Sequence, residues 1–219
     1  MDKIYGFLIG PGAWIAFSVF ILGCICKIGA IILATPKKDR VVLAYFSPKY
    51  GFRSLIHWLI PFGTISMQEN PLFTLVSFAF HFCVLIVPLF ITGHVVLVET
   101  FWSVSWWTIP DKLGDILTLI VLLCLAFFWG RRLWVKEVKF VTSWTDFLLL
   151  SLVTAPFLFG FIAYHGWIDY KLMLVLHVLS AEILLIAFPF TRLIHMFVGL
   201  LTRVYIGSEF GGVRHVKDW

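Results

Sequence analysis

Charged side chains are scarce in this sequence. Asp, Glu, Lys and Arg make up 13% of its 219 residues, whereas hydrophobic residues make up 61%. A soluble domain of this length cannot bury so much apolar surface, so the composition excludes a soluble globular protein. The sequence also has no low-complexity tract, no internal repeat and no separate polar domain. What remains is the composition of an integral membrane protein.

Cysteine motifs and a cleavable leader are missing as well. The four cysteines, at positions 24, 26, 83 and 124, lie inside apolar runs, and no CxxCH or CxxC spacing indicates covalent haem, zinc or an iron–sulfur cluster. We interpret them as packing residues. The first apolar run continues to about residue 34 without a small-residue cleavage site, so the first helix is expected to remain in the mature protein.

Apolar windows of about 20 residues predict an all-α membrane protein with five transmembrane helices. The chain, residues 1–219, is expected to form one membrane domain that ends in a cytoplasmic tail over 202–219. The longest connection, residues 35–70, mixes basic and aromatic residues, and its piece 53–60 is predicted to be an amphipathic helix at the membrane surface. The predicted transmembrane helices cover about 7–34, 71–98, 113–130, 146–165 and 171–201.

Lysine and arginine are distributed unevenly between the two predicted membrane faces. With the N-terminus outside, fourteen of these residues lie on the inner side, and only Lys3, Lys112 and Lys171 lie on the outer side. Because basic loops stay in the cytoplasm, this split predicts a periplasmic N-terminus, a cytoplasmic C-terminus and a location in the inner membrane. The net charge of +5 then reflects topology and contact with anionic lipid, not nucleic acid binding.

Four histidines lie inside predicted helices two and five: His81, His94, His177 and His195. At about 1.5 Å of rise per residue, His81 matches the depth of His195, and His94 matches the depth of His177, to within about 5 Å. The swapped pairing would be off by more than about 20 Å. A low-spin b-type haem iron takes one axial imidazole from each of two helices. The depths therefore predict two haem b groups, an inner one on His81 and His195 and an outer one on His94 and His177.

The spacing of these histidines along each helix gives two different results. The 18 residues between His177 and His195 make five full turns, so both would project from one face of helix five. The 13 residues between His81 and His94 turn the second ring about 140° away from the first on an ideal helix. Pro88 can kink or rewind helix two between them. Alternatively, the two haems approach helix two from different sides.

The helix plan, the paired histidines and the 18-residue spacing resemble the gamma subunit of respiratory nitrate reductase, a membrane cytochrome b. The resemblance is closer to the cytochrome b subunits of the Hmc, Tmc and Dsr redox complexes of sulfate reducers, through segments 81–94, 105–118 and 177–195. It covers nearly the whole chain, although the histidine spacing in helix two is longer than in nitrate reductase. It implies electron passage between membrane menaquinone, a cytoplasmic iron–sulfur subunit and, in some complexes, a periplasmic multihaem cytochrome c.

Other charged residues are candidates for supporting roles. Glu182 is an intramembrane carboxyl, which is typical of a proton path, although a neutral acid that hydrogen-bonds a neighbouring helix would look the same in sequence. Three arginines near the inner face, Arg131, Arg132 and Arg192, are candidates to neutralise haem propionates, with snorkelling to lipid phosphate as the alternative. The inner loops 36–53 and 131–139 and the tail are expected to dock the iron–sulfur subunit.

A quinone headgroup needs a hydrogen-bond donor or a proton acceptor beside a haem at the membrane edge. Near the predicted outer haem, His165, Lys171 and Lys112 are the candidates, together with Trp102, Trp106 and Trp107. We therefore expect a quinone-reactive electron-transfer subunit that oxidises quinol at its outer side. Headgroup anchoring is the alternative for the tryptophans and lysines. A proton-coupled transporter and a haem-free membrane anchor of a larger complex are the alternative functions.

Overall fold

The computed structural model describes residues 1–38, 41 and 44–216, and every regular element in that part of the chain is helical. Five helices in this part are long and apolar enough to cross a membrane, which confirms the prediction of an all-α, multi-pass membrane protein. In chain order the helices are α1 (Asp2–Lys38), α2 (Pro48–Leu59), α3 (Ile65–Glu69), α4 (Pro71–Phe90), α5 (Thr92–Trp102), α6 (Asp111–Trp134), α7 (Lys136–Val141), α8 (Trp144–His165), α9 (Tyr170–Ala187) and α10 (His195–Ile206).

The membrane-spanning helices are α1, α4, α6, α8 and α9, the last extended by a 3-10 turn to Phe190. Their side chains are mostly exposed: the most apolar window is 28% buried in α6 and 11% buried in α1. Exposed side chains include Leu33, Leu75 and Leu123. In water such a surface would aggregate, whereas in a bilayer it faces lipid of the same polarity.

The chain divides into two compact units. The first contains residues 1–9 and 75–181. Its core is formed by Cys83 and Val87 of α4, Val121 and Leu125 of α6, and Phe157 of α8. These side chains recur at three- or four-residue spacing, so each helix turns one stripe toward its neighbours.

The second unit contains residues 10–74 and 182–219. In it, α2 packs against α10 and the π-helical turn Gly207–Val213, and Ser208 Oγ accepts a hydrogen bond of 3.0 Å from the Ser47 amide. The predicted amphipathic piece 53–60 overlaps α2, which buries Ser54 and leaves Phe52 exposed. The segment after residue 202, predicted as a tail, therefore continues as helix to Val213.

The prediction of an unbroken helix over 71–98 is wrong. The helix ends at Phe90, Ile91 has extended backbone (φ −74°, ψ 141°), and α5 begins at Thr92. Pro88 has no N–H to donate to the preceding turn, which weakens the helix at this point. Three donors satisfy the carbonyl oxygens of the last turn: His94 Nδ1 bonds Pro88, Trp106 Nε1 bonds Leu89, and the Ile109 amide bonds Phe90.

The predicted helix over 171–201 is also broken. Its first part, α9, ends at Ala187, and two short 3-10 turns lie on either side of Thr191, whose backbone is extended. Pro189 lies in the first of these turns and is buried. The argument that His177 and His195 project from one face of a single helix is therefore wrong, because the helical phase is not kept across Thr191.

Helix α8 shows how local sequence sets the ends of an element. Ser143 and Asp146 form a capping box, in which the Ser143 amide donates to Asp146 Oδ2 at 2.8 Å. This cap satisfies amides that would otherwise lack partners at the helix start. At the other end Gly166 takes a left-handed conformation (φ 63°), which ends the helix at His165, as predicted.

Candidate functional site

The four histidines predicted as haem ligands all make the same type of hydrogen bond. In each ring Nδ1 lies 2.7–2.9 Å from a backbone carbonyl oxygen. A carbonyl oxygen only accepts, so Nδ1 carries the hydrogen and the neutral ring keeps its lone pair on Nε2. Metal-binding histidines are commonly oriented in this way. The accepting carbonyls belong to Ser77 for His81, Pro88 for His94, Pro156 for His177 and Arg192 for His195.

His94 owes its orientation to the break between α4 and α5. It lies in the first turn of α5, and its Nδ1 donates 2.8 Å to the Pro88 carbonyl. In an unbroken helix that carbonyl would accept from the amide of Thr92. Because the helix ends at Phe90, the carbonyl is available to the His94 ring instead. The break between α4 and α5 therefore contributes to the candidate site by orienting the His94 ring.

His177 packs against α8 at a notch, which is the gap left by the missing side chain of Gly160. Its Nδ1 donates 2.8 Å to the Pro156 carbonyl of that helix. A Cβ at Gly160, one turn further along α8, would lie 2.8 Å from the same Nδ1. Any larger side chain at Gly160 would push the ring away from the backbone, so the glycine permits this close approach.

The rings of His94 and His177 lie close together and nearly parallel in the first unit. Their ring centroids are 5.8 Å apart, and the ring planes differ by 17°. Two metal–imidazole bonds of about 2 Å each, with the distance from each nitrogen to its ring centre added, span about 6 Å. Both rings are half-buried, and both keep Nε2 for a metal. The donor set therefore fits the two axial positions of one haem iron.

His81 and His195 lie in different units: His81 on α4 in the first and His195 at the start of α10 in the second. Both rings are exposed, and both have the Nδ1 hydrogen bond described above. The pairing of these two residues at an inner haem stays a prediction. The described residues contain no cluster of three or more His, Cys, Asp or Glu that would hold a metal ion, and a bis-imidazole iron needs no such cluster.

His165 is the quinone-site candidate with a specific partner. Its Nε2 lies 2.9 Å from Asp115 Oδ1 on α6, and its ring stacks on Trp167 with centroids 5.0 Å apart. Asp115 is not among the site residues predicted from the sequence. Two features of the sequence could have identified Asp115. It is a carboxylate in the second turn of an apolar helix, and it lies within the segment 105–118 that carries the family resemblance. A carboxylate that accepts from one ring nitrogen fixes the tautomer and leaves the other nitrogen as an acceptor.

The other residues at the predicted outer end are held in structural contacts or exposed. Lys171 forms an exposed ion pair of 3.1 Å with Asp2, and Lys112 is exposed on the first turn of α6. Trp106 donates to the Leu89 carbonyl, and Trp107 stacks on Phe90 at 4.3 Å. These two tryptophans therefore stabilise the break that orients His94. Trp102 is exposed at the end of α5.

The candidate propionate ligands differ in their contacts. Arg132 is engaged, because its Nη1 lies 3.6 Å from Asp146 Oδ1 and donates 3.3 Å to Thr142 Oγ1. Arg131 is half-buried at the end of α6, and Arg192 is exposed in the second 3-10 turn. A propionate would have to compete with Asp146 for Arg132.

Glu182, the proton-path candidate, is a buried residue of the second unit, at 8% exposure. Its Oε1 has no hydrogen-bond partner in the described part of the chain. An unpaired buried carboxyl in a membrane helix is rare and expensive, which indicates a role beyond packing.

Comparison with known proteins finds a relative that aligns with nearly the whole chain. The chain is 32% identical over 214 residues to a protein of Nitratidesulfovibrio vulgaris strain Hildenborough, and the match covers 94% of this chain and 93% of that protein. No protein-family model matches the sequence. The similarity therefore extends over all the membrane-spanning helices and is not confined to one motif.

Proposed function

This chain belongs to the same family as the Nitratidesulfovibrio vulgaris protein, and from that premise, together with the facing rings of His94 and His177, we propose that it is the membrane cytochrome b subunit of a respiratory redox complex. It carries electrons through two b haems between membrane menaquinone and a cytoplasmic iron–sulfur subunit. The complex includes other membrane subunits and, in some assemblies, a periplasmic multihaem cytochrome c. The subunit lies in the inner membrane with its N-terminus outside.

The observation that carries this proposal is the shared geometry of two residues 83 positions apart in sequence. His94 and His177 come from different helices, lie nearly parallel at 5.8 Å, and both donate Nδ1–H to a backbone carbonyl. Structural histidines would have no common need to keep Nε2 free on facing rings. Two axial ligands of one iron have that need.

In this proposal His94 and His177 hold the outer haem, and His81 and His195 hold the inner one. A bound haem would supply a one-electron iron centre in the membrane interior. The hydrogen bonds to Pro88 and Pro156 fix the orientation and the tautomer of each imidazole. The cations that would approach propionates are Arg131, Arg132 and Arg192, and Arg132 would share its guanidinium with Asp146.

Quinol is oxidised at the outer side, beside the outer haem. Oxidation of one quinol to quinone releases two protons and two electrons, so the site needs a proton acceptor at the membrane edge. His165 supplies it: while Nε2–H donates to Asp115, the neutral ring accepts a proton from a quinol hydroxyl at Nδ1. Lys171 and Lys112 remain near this edge as headgroup contacts. The protons leave to the periplasm and the electrons pass inward.

The inner face docks the iron–sulfur subunit. The segment 36–53, the loop 131–139 and the segment after residue 202 are all on that side in the proposed orientation. The packing of α2 against α10 and the turn Gly207–Val213 joins two of these three segments into one surface. A partner would therefore contact a folded surface and not a free tail.

The test is a reduced-minus-oxidised absorption spectrum of the purified protein, with haem quantified per chain. We expect b-type bands, which His94→Ala and His177→Ala each reduce, whereas His57→Ala on α2 leaves them unchanged. Purified protein without b-type bands would contradict the proposal and favour the haem-free anchor or the transporter.

A further inference from the structure

Glu182 and Asp146 are both buried carboxyl residues, at 8% and 5% exposure, but only Asp146 has partners. Asp146 accepts hydrogen bonds from Ser143 and lies 3.6 Å from Arg132. Glu182 forms no ion pair or hydrogen bond within the described residues, and its Oε1 is buried without a partner. Within the part of the chain that the structure describes, one buried carboxyl therefore lies beside a cation and the other does not.

The carboxyl of Glu182 lies against an irregular turn of α1. Residues Leu8–Gly12 form a π-helical turn that contains Pro11. A Cβ at Gly12 would lie 2.8 Å from Glu182 Oε1 and 3.1 Å from Oε2. Both carboxyl oxygens thus pack on a bare segment of backbone, and an added Cβ at Gly12 would displace the end of the Glu182 side chain.

This turn has two properties that suit a proton-binding group. Pro11 has no N–H, so it cannot donate the usual hydrogen bond of an α-helix at this point. π-Helical turns are rare and occur frequently at functional sites. Residues 10–12 of this turn belong to the second unit together with Glu182, so the contact between Glu182 and Gly12 lies within one compact body.

We propose that Glu182 and the π-helical turn at Gly12 form a proton-binding site inside the membrane. Glu182 is carried there as the neutral acid, because an ionised carboxylate without a cation in hydrocarbon is strongly disfavoured. The ligand of the site is a proton, which the acid exchanges with water or with a mobile carrier. This goes beyond electron transfer and holds whether or not haem is bound.

The test is labelling of the purified protein with dicyclohexylcarbodiimide, an apolar reagent that needs a protonated carboxyl. The acid proton moves to a nitrogen of the reagent, the carboxylate oxygen adds to its central carbon, and an oxygen-to-nitrogen acyl shift leaves a stable acylurea. No atoms are lost. Peptide mass spectrometry then locates the adduct.

We expect the adduct at Glu182 and several-fold less at Asp146, which serves as the internal control for a buried carboxylate with a cation. Glu182→Gln should remove the adduct from that peptide. Gly12→Ala should slow labelling at Glu182 several-fold, because its added Cβ occupies the space in which the carboxyl lies. Gly10→Ala is the control and should not slow labelling, because its added Cβ meets no atom within 4 Å.

Two outcomes would overturn the proposal. One is labelling of other carboxyls without labelling of Glu182. The other is protection of Glu182 by sodium chloride but not by an equal concentration of choline chloride, which would make the site a cation site. Haem content is measured on the same samples, so a protein without b-type bands but with labelled Glu182 would contradict the electron-transfer proposal and support this one.

Discussion

Two histidines on neighbouring helices of the first unit are held in opposite ways. His177 donates from Nδ1 to the Pro156 carbonyl, whereas His165 bonds the Asp115 carboxylate through Nε2. The first arrangement leaves Nε2 for a metal facing His94, and the second leaves Nδ1 of a neutral ring as a proton acceptor. The comparison teaches that the hydrogen-bond partner of one ring nitrogen determines what the other nitrogen can do. Position in an apolar helix does not determine it.

The largest effect is expected on haem content, from replacing His94 or His177, the two proposed ligands of the outer haem. Replacing either by Ala removes one axial ligand, so we expect each variant to lose one of the two haems entirely. His165→Ala should keep both, because its Nε2 is bonded to Asp115. Haem per chain, measured by absorption after extraction, checks this. Equal haem loss in all three variants would break the distinction between the two kinds of histidine.

The second-largest effect is expected on the rate of quinol oxidation, from replacing His165, the proposed proton acceptor. His165→Ala should slow quinol oxidation about 100-fold, which is typical for loss of a general base. Asp115→Asn should slow it about tenfold, because the ring remains but its orienting carboxylate is lost. The measurement is the rate of haem reduction by a menaquinol analogue. Asp146→Asn, whose carboxylate pairs with Arg132 and not with a histidine, is the control for the loss of a carboxylate in a helix.

A smaller effect is expected from the notch in α8. Gly160→Ala introduces a Cβ 2.8 Å from His177 Nδ1, so the ring must move and the outer haem should bind more weakly. Gly93→Ala is the matched control, because it lies next to His94 in sequence and its added Cβ meets no atom within 4 Å. The measurement is the amount of haem that the Gly160→Ala and Gly93→Ala variants each retain after dilution and repurification. Retention that is the same in both variants would show that the close approach of His177 to α8 is unnecessary.

The smallest effect is expected from the aromatic residues near each histidine. Trp167→Leu removes the ring stacked on His165, a contact worth about 1 kcal/mol, and should slow quinol oxidation by at most about fivefold without changing haem content. Trp107→Leu removes the ring stacked on Phe90 at the break before His94, and should instead weaken haem retention. If both variants had the same phenotype, the two histidines would not be supported separately.

The sequence predicted the helical class and the number of membrane-spanning helices because hydropathy is a sum over neighbouring residues. A run of about 20 apolar residues spans a bilayer whatever else the chain contains. Local signals also set some ends correctly, such as the end of α8 at His165 before Gly166. The same local reasoning failed at Ile91 and Thr191, where the helices predicted over 71–98 and 171–201 are broken. Proline marks both neighbourhoods, but a proline alone does not tell whether a helix kinks or ends.

The structure alone brings together residues that lie far apart in sequence. The ring of His94 and the loop residues Trp106 and Ile109 satisfy the carbonyls at the break in α4, and no local rule identifies these donors. The notch at Gly160 and the pairing of His165 with Asp115 depend on how α6, α8 and α9 pack. Matching depths from the sequence identified His94 and His177 as a candidate pair, because depth follows from the rise per residue. Which ring nitrogen each keeps free depends on a hydrogen bond to backbone, and only the tertiary structure decides that bond.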